Sequence, residues 1–172
     1  PLNIRPPIPT APPNESYCSY QAAADPTNHV AISMTPYDIY TVVGPPQIAV
    51  YTADSSGNLT TTSTMTNMPK TSVTDVLDMS MAPSGALLAV SGTTGLQVLH
   101  FNGANPATLY TTLLSGVQVD QEFWDKANHL YAISRSAGKL YVFTVTPTTH
   151  SQAPGSPYAI TVPENVIVLP KT

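Results

Sequence analysis

"PSGALLAVSGTTGLQVLHF", residues 83–101, is the stretch whose reading decides the fold. A Pro-Ser-Gly turn leads into one apolar run, a Gly- and Thr-rich turn follows, and a second apolar run returns. Short runs of strand formers bounded by such turn clusters read as a β-hairpin. The hairpin has relatives elsewhere in the chain. "PTNHVAIS" (26–33) and "KANHLYAI" (126–133) repeat its first arm, and "PQIAVYT" (46–52) and "GKLYVFT" (138–144) repeat its second. Gly85 and Asn128 stand 43 residues apart, as do Gly95 and Gly138, whereas Asn28 and Gly85 stand 57 apart.

Further strand-forming runs fill out each unit. "NLTTTST" (58–64) and "ATLYTTLL" (107–114) follow the second arm, and "TDVLDMSM" (74–81) and "VQVDQEFW" (117–124) precede the next turn. Four strands in 43 to 57 residues is the spacing of a β-propeller blade. The pattern predicts an all-β fold of consecutive four-stranded antiparallel blades at about 17–68, 69–115 and 116–162, with a partial closing strand at 163–172. Leu87, Leu88 and Val90, with Leu130, Tyr131 and Ile133, are expected on inner or middle strands with alternating burial. Residues 1–16 carry Pro at 1, 6, 7, 9, 12 and 13, which excludes helix and interior strand and predicts an extended linker or surface arm.

The 172 residues suffice for a sizeable core. Only 9% are charged, with Ser, Thr, Asn and Pro supplying the polarity, a composition that suits exposed sheet faces and secreted or surface proteins. We therefore expect an extracellular, cell-surface or periplasmic location. The net charge is −4 and the six Lys and Arg are scattered, so no basic stripe points to nucleic acid. No apolar run approaches the length of a membrane span. Cys18 cannot form an internal disulfide and reads as a small buried hydrophobe. The chain begins at Pro1, which points to a segment upstream.

From Tyr17 onward the sequence resembles the lactonase-type β-propellers, the group with YVTN-like repeats that includes propeller-type bacterial 6-phosphogluconolactonases. The stretches that carry the likeness include "MAPSGALLAVSGTTGLQVLHF", "DKANHLYAISRSAGKLYVFTV" and the turn "YTADSSGNLT". Members of that group are usually seven-bladed, so the resemblance implies roughly their C-terminal half. It also implies a completing polypeptide: a missing N-terminal half, a second copy, or strands of another chain. Open blade edges would invite that pairing.

Acidic residues cluster where inner strands are expected. Asp75 and Asp78 fall on one such strand, and Asp120, Glu122 and Asp125 fall in the corresponding place of the next. As channel-facing groups, Asp75, Asp78, Asp120 and Glu122 could serve as acid and base or bind Ca²⁺ through oxygen. The structural alternative is that they satisfy turn amides. Trp124 is a candidate for blade-interface packing or for ligand contact. His29 and His129 are equivalent in two units, which favours a structural role; no zinc-type spacing and no other cofactor motif is present. Three functions follow: a non-catalytic extracellular binding or structural module, a sugar-lactone hydrolase completed by a missing half, and a self-assembling subunit. The first is preferred.

Overall fold

The computed structural model describes residues 8–167, and every regular element among them is a β-strand. Strands β1 (Glu15–Ala24), β2 (His29–Asp38), β3 (Thr41–Val42), β4 (Gln47–Ala53) and β5 (Leu59–Thr61) form the first sheet, ordered β1-β2-β4-β5 with β3 folded back on the end of β2. The second sheet is β6 (Val76–Met81), β7 (Leu87–Gly92), β8 (Gly95–Asn102) and β9 (Asn105–Ser115), in sequence order. The third is β10 (Gln121–Trp124), β11 (His129–Ser134), β12 (Lys139–Val145) and β13 (His150–Gln152), with β14 (Tyr158–Ala159) also on β12. All pairings are antiparallel.

The first strands of the sheets, β1, β6 and β10, pack against one another in that order. They are the inner strands of three consecutive blades. Between blades lie two apolar cores. Ala31, Ile48 and Val50 of the first sheet meet Leu88, Val90 and Leu99 of the second. Leu87, Ala89 and Leu96 on the other face of the second sheet meet Trp124, Leu130 and Phe143 of the third. All six residues of β7 are therefore buried, which corrects the expected alternation of buried and exposed positions. Side chains do alternate along β7, but between two cores, because this sheet is covered on both faces.

The repeat is less uniform than a single 43-residue offset. The β7–β8 turn leaves only Thr93 and Thr94 between paired Gly92 and Gly95, while β11 and β12 close at Ser134 opposite Lys139. At the strand entrance, the Asn128 carbonyl accepts from Val145 as the Ala86 carbonyl accepts from Phe101, so Asn128 matches Ala86 rather than Gly85.

The outward face of the first sheet carries its own core, of Tyr17, Ile32, Met34, Ala49, Tyr51 and Met68, against which Ala11 packs. Ala11 thus holds this part of the Pro-rich segment on the sheet, and Pro9 is buried as well. Cys18 is exposed, contrary to expectation: on the bulged inner strand β1 the stretch from Cys18 to Tyr20 turns away from the core. Residues 163–167 form no strand, and the rest of the expected closing strand lies outside the described residues.

Candidate functional site

Each inner strand carries one polar side chain that reaches the main chain of the next repeat. Gln21 Nε2 donates to the Leu77 carbonyl at 3.0 Å. Asp78 Oδ2 accepts from the Glu122 amide at 3.1 Å. Gln121 Oε1 accepts from the Val166 amide at 2.9 Å. The three side chains stand opposite Ser33, Ser91 and Ile133, each the fifth residue of its middle strand. This polar strap links blade to blade and reaches past the third sheet to Val166.

The strap explains the acidic pair. Asp78 also accepts from the Met79 amide at 2.9 Å, so its carboxylate holds two backbone donors from two blades. Glu122 lies beside it and is 2% exposed; Ser91 donates to its Oε2, and Oε1 has no hydrogen-bond partner. Burial first, and then the charge of Asp78, push the Glu122 carboxyl well above the ordinary range, against the opposing Ser91 hydrogen bond. Asp120 is committed elsewhere, accepting from the Arg135 amide at 2.7 Å and from Gln118 Nε2 at 2.7 Å.

The four candidate acids therefore do not share one channel-facing cluster. Glu122 in particular is turned into the interface between the second and third sheets. Trp124, 5% exposed, packs in that interface and donates to the Ser80 carbonyl at 3.2 Å. Blade-interface packing was one of the two roles expected of it. Among the described residues no group of three or more His, Cys, Asp or Glu is placed to hold a metal ion.

Two histidines are bound up in matching turns. Asp25 Oδ1 accepts from the Thr27 and His29 amides, and its Oδ2 pairs with His29 Nδ1 at 2.9 Å. Asp125 does the same for Ala127 and His129, with Nδ1 at 2.7 Å. Burial alone would raise the Asp25 carboxyl, but the His29 and Thr27 hydrogen bonds outweigh it and bring the pKa down to about 2.

Asp75 stands apart from the other acids, at the mouth of a cleft of about 250 Å³ between the first and second sheets. Tyr20, Thr35, Tyr37 and Val42 line one side, and Thr74, Val76 and Leu77 line the other. Two β-bulges shape it: one in β1 between Ser19 and Ala22, the other in β6 between Val76 and Asp78. Bulges bend a strand and re-aim its side chains, and here they leave Tyr20 56% and Leu77 36% exposed. The Tyr20 and Tyr37 hydroxyls are 2.5 Å apart. That hydrogen bond is the main reason the Tyr37 phenol is pushed up to about 12, so Tyr37 keeps its proton at neutral pH.

The backbone places Asp75 in the left-handed region, at φ 45°. Gly92 makes the placement possible, because a Cβ there would stand 2.4 Å from the Thr74 carbonyl and 2.7 Å from that of Asp75. Tyr20 and Tyr37 were not among the residues expected from sequence. They lie 17 residues apart in two strands, and no local sequence signal links them.

No protein-family model matches the chain, and no curated protein matches it. Solved structures do. A protein from Lactobacillus plantarum superposes with a TM-score of 0.60 at 14% identity, over 81% of this chain and 41% of its own. A functionally unknown protein from Desulfotomaculum acetoxidans gives 0.53 at 12% identity, over 78% and 55%. The complex of KlAtg21 with the coiled coil of AgAtg16 gives 0.53 at 12%, over 86% and 47%. The chain thus spans about half the length of the solved chains it matches. At these identities the likeness is one of fold, and it agrees with the three sheets described above: the chain folds as consecutive β-propeller-like blades.

Proposed function

We propose that this chain is a non-catalytic binding and structural module, a run of blades within a larger propeller or assembly. The observation that carries the reading is the strap. Its third member, Gln121, holds the Val166 amide as Asp78 holds the Glu122 amide, so residues at Val166 stand where a further inner strand would begin. The acids that sequence offered for catalysis support the same reading, because Asp78 and Asp120 each accept hydrogen bonds from backbone amides. A composition with 9% charged residues supports a secreted or surface setting. The binding surface is the cleft around Asp75.

The test pairs two measurements on the purified protein. Proton release from a sugar lactone should not exceed the uncatalysed rate; turnover above it overturns the non-catalytic reading in favour of a lactone hydrolase. Sedimentation should give a particle larger than a single 18.2 kDa chain. A monodisperse, cooperatively folding monomer of this chain alone would show that the three blades need no completion.

A further inference from the structure

We infer that the cleft between the first two blades is a binding site for a small organic cation, an ammonium group carried on a compact apolar body. The inference rests on the binding-module reading and goes beyond it in naming the ligand's chemistry.

Charge comes first. Asp75 is the only ionisable carboxylate or base among the cleft-lining residues, and no Lys, Arg or His stands with it. Its carboxylate accepts one hydrogen bond, from Thr93 Oγ1 at 3.2 Å, and takes part in no ion pair among the described residues. The other three candidate acids are held by amides or by Ser91, whereas Asp75 is exposed at a mouth. Its unfavourable backbone angle is kept in place by the close approach of its loop to Gly92.

The walls supply the rest. Two phenol oxygens that are linked to each other leave lone pairs able to accept from an N–H group. Val42, Pro46, Val76 and Leu77 offer an apolar surface to the remainder of the ligand. A carboxylate, two phenol rings and an apolar wall complement an ammonium ion, through charge and through attraction of the cation to aromatic rings. An anion would meet Asp75 with nothing to offset the repulsion. A neutral molecule of the same shape would gain the wall and forgo the charge.

The experiment uses the folded protein with benzylamine and its neutral isostere benzyl alcohol, followed by tyrosine NMR shifts at neutral pH. Benzylamine should move the resonances of Tyr20 and Tyr37 saturably, and benzyl alcohol should bind more weakly, by up to about fivefold, the discrimination expected of one exposed charge. Asp75→Asn should abolish that preference, and because Asn tolerates left-handed backbone the variant should melt with wild type. Tyr37→Phe, which removes one acceptor, should weaken benzylamine more than benzyl alcohol, because the charged donor makes the stronger hydrogen bond. Equal binding of the two probes, a preference that survives Asp75→Asn, or no shift at either tyrosine at saturating amine would each overturn the assignment. None of these results bears on lactone turnover or particle mass, so the proposal can fail while the module reading stands.

Discussion

Replacing Asp25 with Asn tests how the repeated turn is held, and its size can be worked from the structure. The carboxylate accepts from the Thr27 amide at 3.0 Å, the His29 amide at 2.9 Å and the Thr27 hydroxyl at 2.8 Å, and it pairs with the His29 ring. The side chain of Asp25 is 7% exposed, which makes these contacts hard for water to replace. Against an ordinary value of 3.8 the folded carboxyl titrates at about 2. At 1.36 kcal/mol per pK unit, that difference caps the pH-linked stabilisation near ~2.5 kcal/mol. The turn lies at the sheet rim, so solvent screening brings the expected share to about 1–2 kcal/mol.

The sign follows from proton binding. Between the two pKa values the unfolded chain holds more protons than the folded one, so stability rises with pH there. The Asp25 contribution is complete above the unfolded value and disappears as pH falls through about 2. Urea unfolding of wild type and Asp25→Asn, repeated at several pH values between about 5 and 2, isolates the carboxylate's contribution as the difference between two curves. The curves should converge towards the acid end. Parallel curves would refute the argument, since they would show that the carboxylate gains nothing from its partners beyond what the amide keeps.

At Glu122 the sign is opposite: a folded pKa above the unfolded one means stability is greatest at low pH and is lost as pH rises through the raised value. Glu122→Gln should therefore flatten the decline of melting temperature as pH rises above the ordinary carboxyl range, and an unchanged profile would place the titration elsewhere. Leu88 and Leu87, 0% and 1% exposed, fill the two opposite cores, so truncating either to Ala should cost about 2–5 kcal/mol in chemical denaturation. A loss below ~0.5 kcal/mol at one of them would mean that its core is not formed in solution.

The repeat was legible in sequence because turn chemistry marks it. Asp-x-x-Asn-His at residues 25–29 and 125–129 encodes the same Asp-to-amide ring of hydrogen bonds, and strand formers follow at once. Burial on both faces of β7 was not read, although the unbroken run "LLAV" is what a strand covered on both sides looks like. Cys18 was misjudged because residue type reports average burial, whereas its exposure depends on which side of the inner strand β1 it occupies. The cleft was invisible for a different reason. It arises from two bulges in different sheets, and a bulge depends on how a strand is paired rather than on its composition.

The strap shows how an acidic pair can arise without catalysis. The same inter-blade contact is made by Gln21, by Asp78 and by Gln121, so what repeats is a hydrogen-bonding position and not a residue. An amide in that position reaches the neighbouring main chain and brings no charge. In the second blade the position is an aspartate, and its carboxylate lies beside the one inner-strand glutamate that is buried between blades. Burial in the blade interface is the larger cause of the raised Glu122 pKa, and the charge of Asp78 adds to it. A strap made of glutamine would remove the second cause and leave the first. Asp78→Asn should accordingly lower the Glu122 pKa without returning it to the ordinary range, an ordering that a reaction-tuned acid pair would have no reason to obey.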